Sequence, residues 1–313
     1  MRRLRNDRGG RDLRGLRGEH DDIATGAGQA HVRLTGTPGP GRLSALTTRT
    51  TGRPDVVVGV VDGAVDPGHP DLALQPVRFV GAPVPARDPG VSPGHGTLVV
   101  SSLAARPTAP TPGICPGCSF VVRPVPGVDV PPAAPADLAD ALADVVAAGA
   151  RVVNLSLALE RLTVAGSEDD PGIDALLDAV ELAHRHGVLV VAAAGNDGGL
   201  GGPPLVRHPW VLPVVACDDG GRPLPTSTLG RAIGRHGLTA PARPRGLSGT
   251  SAAAPVVTGA VALLWSLFPG ARAEAVRDAV TRPRPSARRT SVVPPLLDAA
   301  YAYDVLRDLS VSA

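Results

Sequence analysis

Four polar residues that lie far apart in the sequence have side chains that together suit acyl transfer. Asp62 and Asn196 each follow an apolar run, His95 lies between two glycines, and Ser251 precedes a long apolar segment. A serine hydroxyl is a poor nucleophile unless a base takes its proton, and near neutral pH a histidine held by an aspartate serves as that base. An amide N–H can bind the tetrahedral oxyanion, which contributes about 3–4 kcal/mol. The set therefore predicts nucleophilic catalysis at a carbonyl group.

Each of these residues, taken singly, also has a structural interpretation. An aspartate or asparagine after a strand commonly forms a turn. A hydroxyl residue at the start of a helix, here Ser248, Thr250 or Ser251, commonly caps it. The glycines beside His95 allow close approach to the imidazole, but they also suit an exposed loop. The combination of four residue types, rather than any one of them, favours catalysis.

The segments that must position these residues alternate between strand-like and helix-like patterns. Short apolar runs predict buried strands at residues 56–61, 119–125, 151–156, 188–193 and 211–216. Apolar residues at helical spacing predict helices at residues 136–148, from residue 173 to before Gly187, and at residues 251–268, 272–280 and 296–309. This alternation predicts an α/β fold with a mainly parallel sheet and helices on both faces. Sites in such sheets form at the carboxyl ends of the strands.

The composition of the 313 residues excludes several classes of protein. Apolar residues make up 43% of the chain, which argues against global disorder, while 38 glycines and 34 prolines argue against a mostly helical bundle. Every basic residue is an arginine, so a lysine nucleophile or base is excluded. A net charge of +2 without a basic, aromatic stripe predicts no nucleic-acid partner. The longest nearly apolar segment, residues 256–268, is too short for a membrane span, so we expect no membrane partner.

The first 40 residues differ in composition from the rest. They are rich in arginine, acidic residues and glycine and poor in large apolar groups, which predicts a flexible tail or, alternatively, an arm that docks a partner. Residues 41–313 are then the folded domain. The basic start of the chain is not followed by an apolar stretch, so we expect no signal peptide and a cytoplasmic location. The oligomeric state does not follow from the sequence.

Four motifs resemble those of the subtilisin-like serine proteases. They are an aspartate motif at residues 60–66 and 69–72, a histidine motif at residues 95–97, an oxyanion-hole segment at residues 193–196 and a serine motif at residues 248–255. The chain order of aspartate, histidine and serine is that of the family. The resemblance extends from about residue 54 to about residue 282, and it implies a three-layer subtilisin-like fold and an endopeptidase that works through an acyl-enzyme.

The resemblance also implies a role for each matching residue. Asp62 orients His95, His95 acts as general base and then acid, and Ser251 is the nucleophile. Asn196 and the backbone N–H of Ser251 form the oxyanion hole. The segments that bind the extended substrate backbone and line the specificity pocket correspond to Asn154, Ser156, Leu157, Ala158, Ala193, Ala194 and Gly195. A narrower resemblance, at residues 62–66 and 113–118, is to the cyanobactin-maturation proteases, which trim ribosomal peptide precursors.

Several positions depart from the family pattern. Leu98 replaces a second histidine, and Ala252 replaces a methionine after the nucleophile. Ala158 replaces a glycine of the specificity pocket, which predicts a preference for small or medium side chains before the cleaved bond. The segment at residues 106–112, in place of a calcium loop, has no carboxylates, and Asp71 alone is insufficient. We therefore expect no metal and no cofactor, with bound calcium an open alternative that these residues do not support.

Other interpretations remain beside an active peptidase. A peptide-binding or scaffolding protein with little or no activity is motivated by Leu98 and by the short stretch before the serine motif, residues 241–247. A non-peptidase hydrolase would require a Gly-x-Ser-x-Gly elbow, which the sequence around Ser251 does not have. Cys115 and Cys118 form a Cys-x-x-Cys motif with too few further ligands for zinc, which favours structural thiols or a local disulfide over a redox sensor.

Overall fold

The computed structural model describes residues 42–84, 94–126, 133–157, 170–242, 246–285 and 290–311. Contacts divide the chain into two units, Met1–Thr37 and Pro38–Ala313, and all described residues belong to the second unit. The tail predicted at residues 1–40 lies outside the described residues. The domain boundary at residue 41 therefore stays a prediction.

The described residues form one seven-stranded parallel sheet with the strand order β2-β3-β1-β4-β5-β6-β7. Its strands are β1 (Val57–Asp62), β2 (Val77–Phe79), β3 (Ser119–Pro124), β4 (Val152–Leu155), β5 (Leu189–Ala193), β6 (Val211–Cys217) and β7 (Leu238–Pro241). The strands β4, β5 and β6 are buried along their whole length, as continuous apolar runs in a parallel sheet require. The α/β fold with a parallel sheet is thereby confirmed.

Five of the helices in the described residues lie where the sequence predicts them, and those at residues 44–47, 95–104, 204–207 and 231–236 were not predicted. The helices are α1 (Ser44–Thr47), α2 (His95–Ala104), α3 (Pro135–Ala147), α4 (Pro171–Arg185), α5 (Pro204–Arg207), α6 (Arg231–His236), α7 (Gly249–Leu267), α8 (Ala273–Thr281) and α9 (Ala299–Val311). The predicted helix at residues 296–309 starts too early. Leu296 instead forms a bridge with Thr239 of β7, and the Asp298 carboxylate accepts from the backbone N–H of Tyr301 at 3.0 Å, so the helix begins after Asp298.

Side chains of one strand show that helices cover both faces of the sheet. Successive side chains of a strand point to opposite faces. On β4, Asn154 bonds to Thr258 of α7. The neighbouring Val153 lies on the same side of Gly59 in β1 as Val145 of α3, because a Cβ atom built on Gly59 would lie 3.1 Å from Val153 and 3.3 Å from Val145. The helices α3 and α7 therefore lie on opposite faces. α4 packs against α3, and α2 packs against α7.

The helix α7 is the central helix of the core. Among the described residues it alone is long and apolar enough to cross a membrane, and 89% of its apolar window is buried inside the protein. It packs on β4, β5, β6 and β7. Since aromatic residues make up only 2% of the chain, Ala, Val and Leu side chains fill most of this core. The first turn of α7, which carries Ser251, thus belongs to a helix that is buried from Thr250 to Ser266.

Candidate active site

The carboxyl edge of the sheet gathers the predicted site residues. Asp62 is the last residue of β1 and pairs with Pro124, the last residue of β3. Ser156 follows the end of β4, and Asn196 lies three residues beyond the end of β5. This is the edge at which open parallel sheets place their ligands.

Asp62 and His95 are in direct contact. His95 Nδ1 lies 2.7 Å from Asp62 Oδ1, and the backbone N–H of Gly63 donates to the same oxygen at 2.7 Å. The Asp62 side chain is 0% exposed and that of His95 is 26% exposed. A proton on Nδ1 that is shared with the buried carboxylate leaves the lone pair of the imidazole on Nε2, which is the arrangement a general base needs.

Gly96 allows helix α2 to bring His95 so close to β1. A Cβ atom at Gly96 would lie 2.4 Å from the carbonyl oxygen of Gly63, which is backbone and cannot move aside. The Thr97 hydroxyl reinforces this contact by accepting from the backbone N–H of Asp66 at 2.9 Å. The glycine after His95 is therefore required for packing.

Ser251 is the third residue of α7 and its side chain does not cap the helix. Its Oγ donates to the backbone carbonyl of Ser156 at 3.0 Å, and the residue is 8% exposed. Ser248, at the N-cap position, makes no side-chain cap hydrogen bond either. The first N–H groups of a helix have no partner within it, and the helix dipole favours negative charge there. The backbone N–H of Ser251 is one of these groups.

Thr250 fixes the orientation of the Asn196 amide. Asn196 Oδ1 accepts from the backbone N–H of Thr250 at 2.9 Å and from its hydroxyl at 3.2 Å. The donor Nδ2 must therefore lie on the opposite side of the amide from Thr250. Gly249, with φ at +57°, makes room for this contact, because a Cβ atom there would lie 2.1 Å from Asn196 Oδ1.

The described residues that were predicted to bind substrate lie at or near the ends of β4 and β5. Ser156 and Leu157 follow β4, and both are buried. Ala194 donates its backbone N–H to Val214 at 3.0 Å. Ala193 ends β5, and the carbonyl of Gly195, whose φ is +114°, accepts from the backbone N–H of Thr228. Asn154 is fully buried within β4, and Ala158 lies outside the described residues.

Two residues of this region, Thr250 and Thr258, form hydrogen bonds that the sequence does not predict. Thr250 holds Asn196, and Thr258 Oγ1 donates to Asn154 Oδ1 at 2.9 Å inside the core. In the sequence, Thr250 reads as a possible cap and Thr258 as a small residue within an apolar helix. The sequence does contain one indication that this helix needs a hydrogen bond from outside. Pro255, in the interior of the helix, has no backbone N–H to donate to the carbonyl four residues before it.

Clear pKa shifts occur at Asp197, which follows Asn196 in the sequence, and at the cysteines. The Thr228 hydroxyl and the backbone N–H of Gly199 donate hydrogen bonds to the Asp197 carboxylate and lower its pKa. The three cysteines are free and buried. Burial, together with the charges of Asp218 and Asp219, raises the pKa of Cys217 to about 12. The hydrogen bond with Cys118 and burial raise the pKa of Cys115 well above its usual value. In the part of the chain that the structure describes, no group of three or more His, Cys, Asp or Glu side chains could hold a metal ion.

Comparisons with known proteins agree with this geometry. The profile of the subtilase family matches residues 53–290. Subtilisin DY from Bacillus licheniformis is 30% identical over 237 residues, which are 72% of this chain and 81% of that protein. The solved structure of the prenylagaramide maturation protease PagA is 30% identical, has a TM-score of 0.71, and matches over 84% of this chain and 98% of its own. For the patellamide maturation protease PatA the identity is 29%, the TM-score 0.66 and the coverage 82% and 98%.

Proposed function

Since the chain belongs to the subtilase family of serine endopeptidases, we propose that Asp62, His95 and Ser251 are the catalytic triad with which it cleaves peptide bonds. The observation that carries this assignment is the contact of 2.7 Å between His95 and the buried carboxylate of Asp62. Ser251, in the first turn of α7, supports it, because helix α2 with His95 packs against α7. The substrates of the enzyme are peptides or proteins.

The proposed reaction proceeds through an acyl-enzyme. Ser251 Oγ attacks the carbonyl carbon of the scissile bond and gives its proton to Nε2 of His95, while Asp62 stabilises the imidazolium. The oxyanion receives hydrogen bonds from Asn196 Nδ2 and from the backbone N–H of Ser251. His95 then protonates the departing amine, and a water molecule that His95 activates hydrolyses the ester and restores Ser251.

We further propose that the substrate is a ribosomal peptide precursor, which the enzyme trims. The similarity to PagA and PatA supports this proposal, because both are named as maturation proteases and the match covers 98% of each of those chains. The alternative, a scaffolding protein without activity, is not favoured. The absence of a second histidine at Leu98 is its main motivation, and the contact of His95 with Asp62 does not involve that position.

The experiment for this function is digestion of a precursor peptide, with its leader and core segments, followed by mass spectrometry of the products. We expect the wild type to cut at one or a few sites and Ser251→Ala to cut at none. Ser266→Ala is the matched control, because it removes a buried hydroxyl from the other end of the same helix. Cleavage by Ser251→Ala would contradict the triad. Equal cleavage of any unfolded protein at many sites would contradict the maturation role but not the endopeptidase.

A further inference from the structure

The backbone carbonyl of Ser251 has lost its usual helical partner. In an α-helix a carbonyl accepts from the N–H four residues later, but four residues after Ser251 the helix α7 has Pro255, which has no N–H. The ring of an interior proline also crowds the carbonyl four residues before it. A poorly exposed carbonyl without a partner is unfavourable, so that of Ser251 needs a donor from outside its helix.

Ser156, just after β4, supplies this donor. Its Oγ donates to the carbonyl of Ser251 at 3.2 Å, and Ser251 Oγ donates to the carbonyl of Ser156 at 3.0 Å. The two residues thus exchange two hydrogen bonds, which join the edge of the sheet to the first turn of α7. Because the Ser251 hydroxyl is part of this exchange, its position depends on how Ser156 is held.

Asn154 and Thr258 hold Ser156 in turn. Asn154 Nδ2 donates to Ser156 Oγ at 2.8 Å, so the hydroxyl proton of Ser156 is directed to Ser251. Asn154 Oδ1 accepts from Thr258 Oγ1 at 2.9 Å. Asn154, Ser156 and Thr258 are each 0% exposed, so bulk water does not replace a bond that is lost.

Thr258 lies seven residues after Ser251, which is two helical turns along the same face of α7. We propose that Thr258 is a positioning residue for the nucleophile, which orients the Asn154 amide and, through Ser156, holds the first turn of α7 in place. This inference rests on the proposed role of Ser251. Without the Thr258 hydroxyl, the amide of Asn154 turns over to accept from Ser156, and the carbonyl of Ser251 loses its donor.

The test compares Thr258→Val, which keeps the shape of the side chain but removes the hydroxyl, with Thr258→Ser, which keeps the hydroxyl. The measurements are the rate at which a fluorophosphonate acylates the enzyme, and kcat and KM for a peptide substrate. We expect Thr258→Val to lower kcat and the acylation rate by about 10-fold, with KM nearly unchanged, because a small misplacement of the reacting group slows the chemical step. Thr258→Ser restores both rates.

Ser266→Ala is the matched control on the same helix. Its hydroxyl donates to the carbonyl of Ala262 at 2.8 Å and lies outside the chain of bonds that leads to Ser251. If Thr258→Val does not fold, Thr258→Ala removes the same donor without an added methyl group. The inference would be overturned if the folded Val or Ala variant kept wild-type rates. It would also be overturned if Thr258→Ser or Ser266→Ala lost as much activity as Thr258→Val. A wild type that the probe does not label would overturn the proposed function, and this inference with it.

Discussion

At the scale of single residues, the site consists of polar groups whose partners are fixed by burial. Asp62 offers one carboxylate oxygen to both His95 and Gly63, and within the described residues its other oxygen has no hydrogen-bond partner. Asn196 has its acceptor oxygen held by Thr250. In both cases the environment determines which atom of the side chain is available, so each side chain is oriented before a substrate arrives.

Replacement of Asn196 by Ala tests the oxyanion hole. We expect kcat to fall by about 10²–10³-fold, because one preorganised donor to the oxyanion is removed. KM should change little, since the donor acts mainly in the transition state. Steady-state kinetics on a peptide substrate measure both constants. Gln75→Ala is the control, because it removes a side-chain amide that donates to the carbonyl of Ala104, the last residue of α2. An unchanged kcat in Asn196→Ala would contradict the assignment.

The identity of the site residues could be predicted from the sequence, but not all of the hydrogen bonds that hold them. Asp62, His95, Asn196 and Ser251 stand out because each is a reactive type at the end of a strand or the start of a helix. The bonds of Thr250 and Thr258 could not be predicted, since a threonine within a helix has the same sequence context whether or not its hydroxyl meets a distant strand. The register between α7 and β4 decides that, and only tertiary packing sets this register.

At the scale of elements, close contacts between backbones position the site. Helix α2 approaches β1 at Gly96, and α7 begins at Gly249 beside Asn196. Continuous apolar runs predicted five strands well, but β2 and β7 were not predicted, because they are short and lie at the two edges of the sheet. The predicted start of α9 was wrong, because Leu296 and Asp298 form contacts that the spacing of apolar residues does not show.

Replacement of Gly96 by Ala tests the approach of α2 to β1. We expect a loss of about 1–3 kcal/mol in the free energy of unfolding, because the added methyl group meets the carbonyl of Gly63 and forces the helix outward. The displacement of His95 should also lower kcat. Gly270→Ala is the control, because a Cβ atom there has no neighbour within 4 Å, and its stability should stay within about 0.5 kcal/mol of the wild type. Equal stability of the two variants would show that the contact is not needed.

We expect His236, the last residue of α6, to make the stability depend on pH. Burial, helped by the positive charge of Arg277, lowers its pKa below the usual 6.5. The unfolded chain then binds more protons than the folded chain as pH falls below 6.5, so the free energy of unfolding decreases there and is fully present above that pH. We expect His236→Gln to flatten this decrease in thermal midpoints measured from pH 8 down to pH 5. Equal pH dependence in wild type and His236→Gln would contradict the prediction.

At the scale of the whole molecule, one buried sheet and its central helix bring together residues from four distant parts of the chain. The carboxyl edge of the sheet carries Asp62 and Asn196, while α2 and α7 bring His95 and Ser251 to it. The scarcity of aromatic side chains is compatible with this design, because Ala and Val allow helices and strands to pack closely. Glycines at the tightest contacts, such as Gly96 and Gly249, also allow helices and strands to pack closely.

Removal of metal ions should leave the enzyme unchanged. The residues at 106–112, after α2, have no carboxylates that could bind calcium. We therefore expect the thermal midpoint and kcat to be the same with and without EDTA. A midpoint that falls in EDTA and returns when calcium is added would contradict this prediction.

The most direct test of the central claim, that Ser251 is the nucleophile activated by His95 and Asp62, is to map the site of reaction with a fluorophosphonate. The protein is treated with the probe, digested and analysed by mass spectrometry. We expect one adduct, on Ser251, which is absent from Ser251→Ala and forms far more slowly in His95→Ala. An adduct on another residue that persists in Ser251→Ala, or a folded wild type that forms no adduct, would contradict the account.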